Sequence, residues 1–257
     1  MRMAEKLLLG LSRKPGNKDY PAGQENWSLD DALALLCREF PDFSSRIAGK
    51  NILDFGCGNG WQSVALAKMG AKYVLGLDTN RKTLKKAEDL AKRLGFEEKV
   101  EYTDRLEHRL KGVFDLVISQ NSMEHFGNPS RILDEMKVAL NQNGSILISF
   151  GPLWLSPYGS HMQFFTKVPW VNILFSENTV MSVRSYFRDD GATKYEEVES
   201  GLNKLTVAGF ERIISDSNLR IYYKKYACIK GLNFIAHLPF IREFFINHIS
   251  CELINCA

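Results

Sequence analysis

The stretch Ile52-Leu53-Asp54-Phe55-Gly56-Cys57-Gly58-Asn59-Gly60-Trp61 decides the fold. An apolar run ends in an acid and an aromatic, three glycines follow at alternate positions, and Trp61 opens a helical pattern. A buried strand running through a glycine turn into a helix is the opening unit of a parallel α/β sheet, and the turn lets a ligand approach the main chain closely. Three ligand types use such a turn: a nucleoside triphosphate, a dinucleotide, or a molecule without phosphate. The Gly-Lys-Ser/Thr ending of a triphosphate loop is absent. The spacing is GxGxG, so the third glycine of the dinucleotide fingerprint GxGxxG is missing. Asp54, two residues before the first glycine, would repel a pyrophosphate, whereas beside an ammonium group or hydrogen-bonded main chain it is comfortable.

Working outward, the alternation continues. Leu29–Phe40 reads as a helix capped by Ser28, with Asp30 and Asp31 at its positive end, and Pro41 stops it. After the glycine turn, Trp61–Met69 is helical, Tyr73–Leu77 is a second strand ending at Asp78, and Arg81–Leu94 is a helix closed by Gly95. Lys99–Tyr102, Phe114–Ser119 and Ser145–Phe150 are further strands, with a helix over Pro129–Leu140. Near-continuous apolar strands alternating with helices predict a doubly wound, mostly parallel sheet covered on both faces. The rhythm breaks over residues 151–200, which carry Pro152, Pro157 and Pro169 and many aromatics. They read as an insertion. A helix near Gly201–Ala208, a strand near Arg220–Tyr226, a helical link over Gly231–Phe245 and an antiparallel last strand in Ile249–Cys256 follow.

At 257 residues, 45% hydrophobic and 25% charged, the chain suits one domain with an elaboration. A net charge of +3 without a basic stripe gives no indication of nucleic acid. Five scattered cysteines form neither a zinc pattern nor a disulfide framework, which fits a reducing, cytoplasmic setting. Leu7–Leu11 is shorter than a signal-peptide core, and no window has the length of a transmembrane span. No His/Asp set with ligand spacing suggests a metal.

With these elements in place, ILDFGCGNG resembles motif I of the class I S-adenosylmethionine-dependent methyltransferases, of the type 11-like kind. Further segments match in order. LGLDTN ends its strand with Asp78, followed by Thr79, where the family holds both ribose hydroxyls on the acid. VEYTDRLE puts Asp104, Arg105 and Leu106 where the family holds adenine. FDLVISQNSMEHF resembles the fourth-strand motif, with Gln120 and Asn121 at its pocket end. ALNQNGSILIS resembles the following helix–turn–strand segment. The resemblance spans residues 47–150 and returns weakly over 201–257, implying a Rossmann-like methyltransferase fold of seven strands with an antiparallel last strand. It implies S-adenosylmethionine as cofactor, bound through Asp54, Gly56, Cys57, Gly58, Gly60, Asp78, Thr79, Asp104, Arg105, Leu106, Gln120 and Asn121.

The expected organisation is an N-terminal arm and cap helix (1–46) and a methyltransferase domain (47–257), with 151–200 as an aromatic-rich lid over the acceptor. The resemblance also implies that the N-terminal arm, with Tyr20 and Trp27, folds over the bound cofactor. His125, His161 and Tyr158 are the candidate catalytic residues. His125 reads as a base or pocket wall, or as a loop tether; His161 as a base for a hydroxyl, or as part of an aromatic core. Cys57 reads as a packing residue. The expected acceptor is a small molecule or a glycan- or lipid-linked group. The apolar runs Pro169–Glu177 and Gly231–Phe245 read as packing over the sheet, with peripheral contact to a membrane as the alternative. A non-catalytic binding or assembly protein on the same fold is the rival function, and a nicotinamide dehydrogenase a third.

Overall fold

A computed structural model describes residues 2–13, 28–198 and 200–256. In chain order the elements of the sheet are β1 (Asn51–Phe55), α3 (Trp61–Lys68), β2 (Tyr73–Leu77), α4 (Arg81–Leu94), β3 (Val100–Thr103), β4 (Phe114–Gln120), α5 (Pro129–Ala139) and β5 (Leu140–Phe150). α8 (Val207–Asp216), β6 (Leu219–Cys228) and β7 (Ile246–Asn255) complete it. Two helices precede the sheet, α1 (Met3–Gly10) and α2 (Leu29–Glu39).

The seven strands are ordered β3-β2-β1-β4-β5-β7-β6. The first five are parallel, and β7 runs antiparallel between β5 and β6. From β1 the chain winds outward to β3 and then crosses back to β4. The loops leaving β1 and β4 therefore diverge, and the crevice between them lies beyond the carboxyl ends of the strands, where open α/β sheets bind ligands.

Local chemistry explains the elements. Ser28 accepts the Asp31 amide at 3.1 Å, and the Asp31 carboxylate returns to the Ser28 amide at 3.0 Å, a capping box that starts α2. Asn80 caps α4 through the Lys82 and Thr83 amides, and Gly95 ends it with φ +74°. α4 buries Leu84, Ala87, Leu90 and Ala91, one face of a 3.6-residue period. One face of the sheet packs under α2, α3 and α4 around Leu36, Ile52, Leu66 and Ile118. The other packs under α5 and α8 around Phe55, Val117, Met136 and Phe210. Arg46 forms a two-pronged ion pair with Glu252 on β7, at 2.6 and 3.0 Å.

Several expectations change. The expected adaptable arm is, over residues 2–13, an ordered element: α1 buries Leu8 completely against the insertion, and the Arg13 amide donates to the Phe165 carbonyl at 2.8 Å. Tyr20 and Trp27, the residues expected over the cofactor, lie outside the described residues. The insertion contains two short helices, α6 (Val171–Leu174) and α7 (Glu177–Arg184), and a core of its own around Leu8, Phe165, Val180 and Tyr195. The helix expected at Gly201–Ala208 begins only at Val207, because Thr206 caps it by accepting the Gly209 amide. Gly231–Phe245 is mostly 3-10 turns ending in α9 (Arg242–Phe245), with Phe234 and Phe240 exposed. Among the described residues no helix is long and apolar enough to cross a membrane.

Candidate active site

Two cavities open at the switch point and meet. The larger, about 540 Å³, is lined by Leu77, Asp104, Arg105, Leu106, Leu110 and Ile132 among others. The smaller, about 390 Å³, is lined by Asp54, Cys57, Gly58, Gln120, Asn121 and His125 among others. Gly56, Asp78, Thr79 and Phe126 line both. A single elongated ligand can thus span them, with Asp78 at its middle.

The glycine turn is built for this approach. Gly56 has φ +82° and a Cβ there would lie 2.5 Å from Ser122 Oγ. Gly58 has φ +52° and open space where a Cβ would lie, so a ligand can approach its main chain closely. Gly60 differs. With φ +80° it caps α3, and a Cβ would meet Tyr102 Oη at 2.5 Å and the Ala87 Cβ at 2.6 Å. It lines neither cavity, so its expected ligand contact is corrected to a packing role beneath the turn.

Two acids organise the turn. Asp78 Oδ2 accepts the Gly58 amide at 2.9 Å and Oδ1 the Asn80 amide at 2.8 Å. A carboxylate has about four acceptor positions, so two main-chain bonds leave capacity for a ligand's hydroxyls. Asp54 is buried and accepts from Gln62 Nε2 at 2.7 Å and Ser63 Oγ at 2.6 Å, tying β1 to the first turn of α3. Burial raises its carboxyl to about 7, against the two donors that favour the charged form. Cys57 is buried and its thiol is pushed far up by burial, with the Asp54 and Asp78 charges adding to it, which suits packing.

Asp104 borders the larger cavity but is engaged by Arg81, at 2.6 Å in an exposed ion pair. The hydrogen bond from Arg81 lowers its carboxyl below the usual range. Gln120 Oε1 is buried at the floor of the smaller cavity with no hydrogen-bond partner among the described residues, and so is available to a donor on a ligand.

The three candidate catalytic residues part company. His125 lines the smaller cavity. His161 packs edge-on against it, ring centroids 5.3 Å apart and planes at 84°, and does not line either cavity. Burial, with a smaller contribution from the neighbouring His125, lowers His161 to about 4. Tyr158 is partly exposed in the insertion and lines neither cavity. The structure therefore brings His125 to the site, sets His161 behind it and leaves Tyr158 out. As a lid, the insertion contributes, among its described residues, only its end: Ser200 lines the smaller cavity.

Phe126, Ser122 and Ser200 are site residues that the sequence did not single out. Phe126 packs edge-on against Phe55 at 5.7 Å and forms the wall where the cavities join. It sits in the fourth-strand motif, so the signal was present. Ser200 carried no signal, being 80 positions from Gln120 and brought in only by the fold.

Residues 47–153 match a family model described as a methyltransferase domain. A ribosomal protein L11 methyltransferase of Neisseria meningitidis serogroup A is 27% identical over 162 residues, covering 60% of this chain and 51% of that protein. One from Vibrio cholerae serotype O1 is 39% identical over 97 residues, covering 34% and 32%. The chain thus spans about half or less of the length of these relatives. Among solved structures, an S-adenosylmethionine dependent methyltransferase from Mesorhizobium loti superposes with a TM-score of 0.55 at 18% identity, over 88% of this chain and 97% of that one. At that identity the likeness establishes the fold. The relatives named for a ribosomal protein overturn the expected small-molecule, glycan- or lipid-linked acceptor.

Proposed function

We propose that the chain is an S-adenosylmethionine-dependent methyltransferase that transfers the methyl group to a protein acceptor, a reading supported by the match of residues 47–153 to a methyltransferase domain. The observation that carries this reading is the pair of cavities joined at Asp78. Their residues fit the cofactor. Asp78 takes the ribose hydroxyls in charge-assisted hydrogen bonds. The open side of Gly58 and the unpartnered Gln120 Oε1 take the amino-acid part, with Asn121 beside them. Leu106 and the main chain at Arg105 hold adenine in the larger cavity, and Asp104 caps that end through its pair with Arg81.

When bound, the cofactor supplies a methyl group on a sulfonium, an intrinsically good leaving group. The chain's own residues then serve mainly to orient and to exclude alternatives, an effect that can supply several kcal/mol of the barrier, on the order of 7–11 in favourable cases. A protein acceptor is favoured by relatives named for a ribosomal protein substrate. The test is calorimetry with S-adenosylmethionine and S-adenosylhomocysteine, with NAD as control, followed by incubation of isolated ribosomal proteins with methyl-labelled cofactor. Binding of both sulfur compounds and label on a polypeptide band are expected. No binding by folded protein would move the non-catalytic reading ahead; binding without label on any polypeptide would overturn the protein acceptor.

A further inference from the structure

Two apolar segments meet at the end of the sheet where the cavities open, and both leave large side chains in water. The first, 229–245, joins β6 to β7. Ile235 and Ala236 peg it into the core, and the Cys228 amide donates to Asn233 Oδ1 at 2.9 Å. Around those pegs it presents Phe234, Phe240, Ile241 and Phe244 to solvent, with Phe234 66% and Phe240 90% exposed. Phe240 does so on a left-handed backbone, φ +69°, a costly conformation for a bulky residue. The second segment is α6 of the insertion, where Ile173 and Leu174 are exposed, Leu174 by 64%. Trp170, just before α6, packs against Phe245 at the end of α9, ring centroids 6.2 Å apart and planes at 69°, which brings the segments together. Phe150 at the end of β5 pairs with Ile249 of β7, so both connections lie at the carboxyl end of β5. The loops after the parallel strands β1 and β4 open at that same end.

We propose that these two segments form a docking surface for an anionic lipid bilayer. Exposed apolar surface of this kind marks a contact with protein or membrane, and charge decides between them. Over 167–175 and 229–245 the lysines, arginines and acids are Lys167, Lys230, Arg242 and Glu243. Arg242 is paired with Glu211. The Glu243 carboxylate accepts the Val207 and Ala208 amides at 3.0 and 2.7 Å, at the start of α8. Lys167 and Lys230 are exposed and have no ion pair among the described residues. What the segments leave unpaired is therefore positive only. An anionic bilayer meets both features at once: apolar side chains enter the headgroup–acyl boundary to about 5–10 Å, and the lysines remain among the headgroups. A second copy across a two-fold axis would bring the same lysines against the same surface, with no free acid to meet them. A protein partner would need a shaped counterpart, yet the exposed rings stand on turns and line neither cavity, whereas a bilayer makes no demand of shape. The surface concerns where the protein sits and not what it methylates, and it stands apart from the methyl-transfer reading.

Co-sedimentation of the full chain with vesicles tests it, using phosphatidylcholine alone and phosphatidylcholine mixed in equal parts with phosphatidylglycerol. Binding to the mixed vesicles that weakens as salt rises is expected, with little binding to phosphatidylcholine alone. Phe234→Ser combined with Phe240→Ser should lower binding on the order of 100-fold, since two rings lose their transfer out of water. Lys167→Ala combined with Lys230→Ala should lower it about 30-fold on the mixed vesicles, roughly 5-fold for each lysine at an anionic surface. All four side chains are exposed, so the variants should keep the wild-type unfolding transition. Tyr222→Ser, at an exposed position on β6 outside both segments, should bind as wild type does. Failure of folded wild-type protein to bind the mixed vesicles would leave the surface to a protein partner and overturn the proposal. Equal binding by wild type and the double phenylalanine variant would overturn it as well. So would self-association in sedimentation velocity that the phenylalanine substitutions abolish, because a second copy would then cover the surface.

Discussion

Asp78 Oδ2 accepts the amide hydrogen of Gly58 at 2.9 Å, across twenty positions of sequence. The acid at the end of β2 thus sets the shape of the turn at the end of β1, and the same carboxylate faces both cavities. Shape and ligand chemistry depend on one side chain.

Asp78→Ala should weaken S-adenosylmethionine binding about 10- to 100-fold, the scale of one or two charge-assisted hydrogen bonds at about 1.5–3 kcal/mol each. Titration calorimetry with S-adenosylhomocysteine reads it. Affinity equal to wild type would remove Asp78 from the ligand site.

Gly58→Ala and Gly60→Ala should separate binding from stability. Both positions have positive φ, but only at Gly60 does a Cβ collide, 2.5 Å from Tyr102 Oη and 2.6 Å from the Ala87 Cβ. Gly60→Ala should lower unfolding stability by about 2–4 kcal/mol, from overpacking and backbone strain together. Gly58→Ala should lose about 1 kcal/mol and act mainly on cofactor binding. Urea unfolding that ranked the two the other way would contradict the packing role given to Gly60.

The contribution of Asp54 to stability should fall as pH rises from about 4 to 7. Its folded pKa is raised to about 7, so between the unfolded value and about 7 the folded state binds more protons than the unfolded one. The contribution is whole below the unfolded pKa and is lost as pH climbs through the folded one. Asp54→Asn should flatten this slope in urea midpoints measured from pH 5 to 8. An identical slope in both proteins would mean that Asp54 ionises normally.

Leu8→Ala should loosen the insertion and leave the sheet intact. Leu8 is fully buried in the cluster around Phe165 and Val180, and a leucine truncated in such a setting costs about 2–5 kcal/mol. Hydrogen exchange should rise over residues 160–187 and not over β1 or β4. Uniform protection would show that α1 does not stabilise the insertion.

β1 and β2 were legible because each is a short apolar run closed by a glycine or an acid, and a buried strand needs little more. β5 proved longer than Ser145–Phe150 because it continues directly from α5 at Leu140, where the local pattern is polar and only pairing of Leu140 with Phe114 on β4 defines a strand. The stretch 201–206 stayed out of helix because Asn203 spends its hydrogen bonds on the β4 loop, a long-range demand invisible to helical periodicity.

By itself the sequence determined the glycines of the turn, the apolar strand that leads into it and the acid that ends the next strand, since each is read from residues within a few positions of one another. The tertiary structure decided which histidine reaches the cavity. His125 and Gly201 are 76 positions apart, and Tyr158 and His161 carried as strong a local signal as His125. Only the packing of the insertion's end against the β4 loop sets His125 at the wall, turns His161 behind it and leaves Tyr158 outside. Side-chain chemistry is written in the chain, but which side chains share a cavity follows from how distant segments pack.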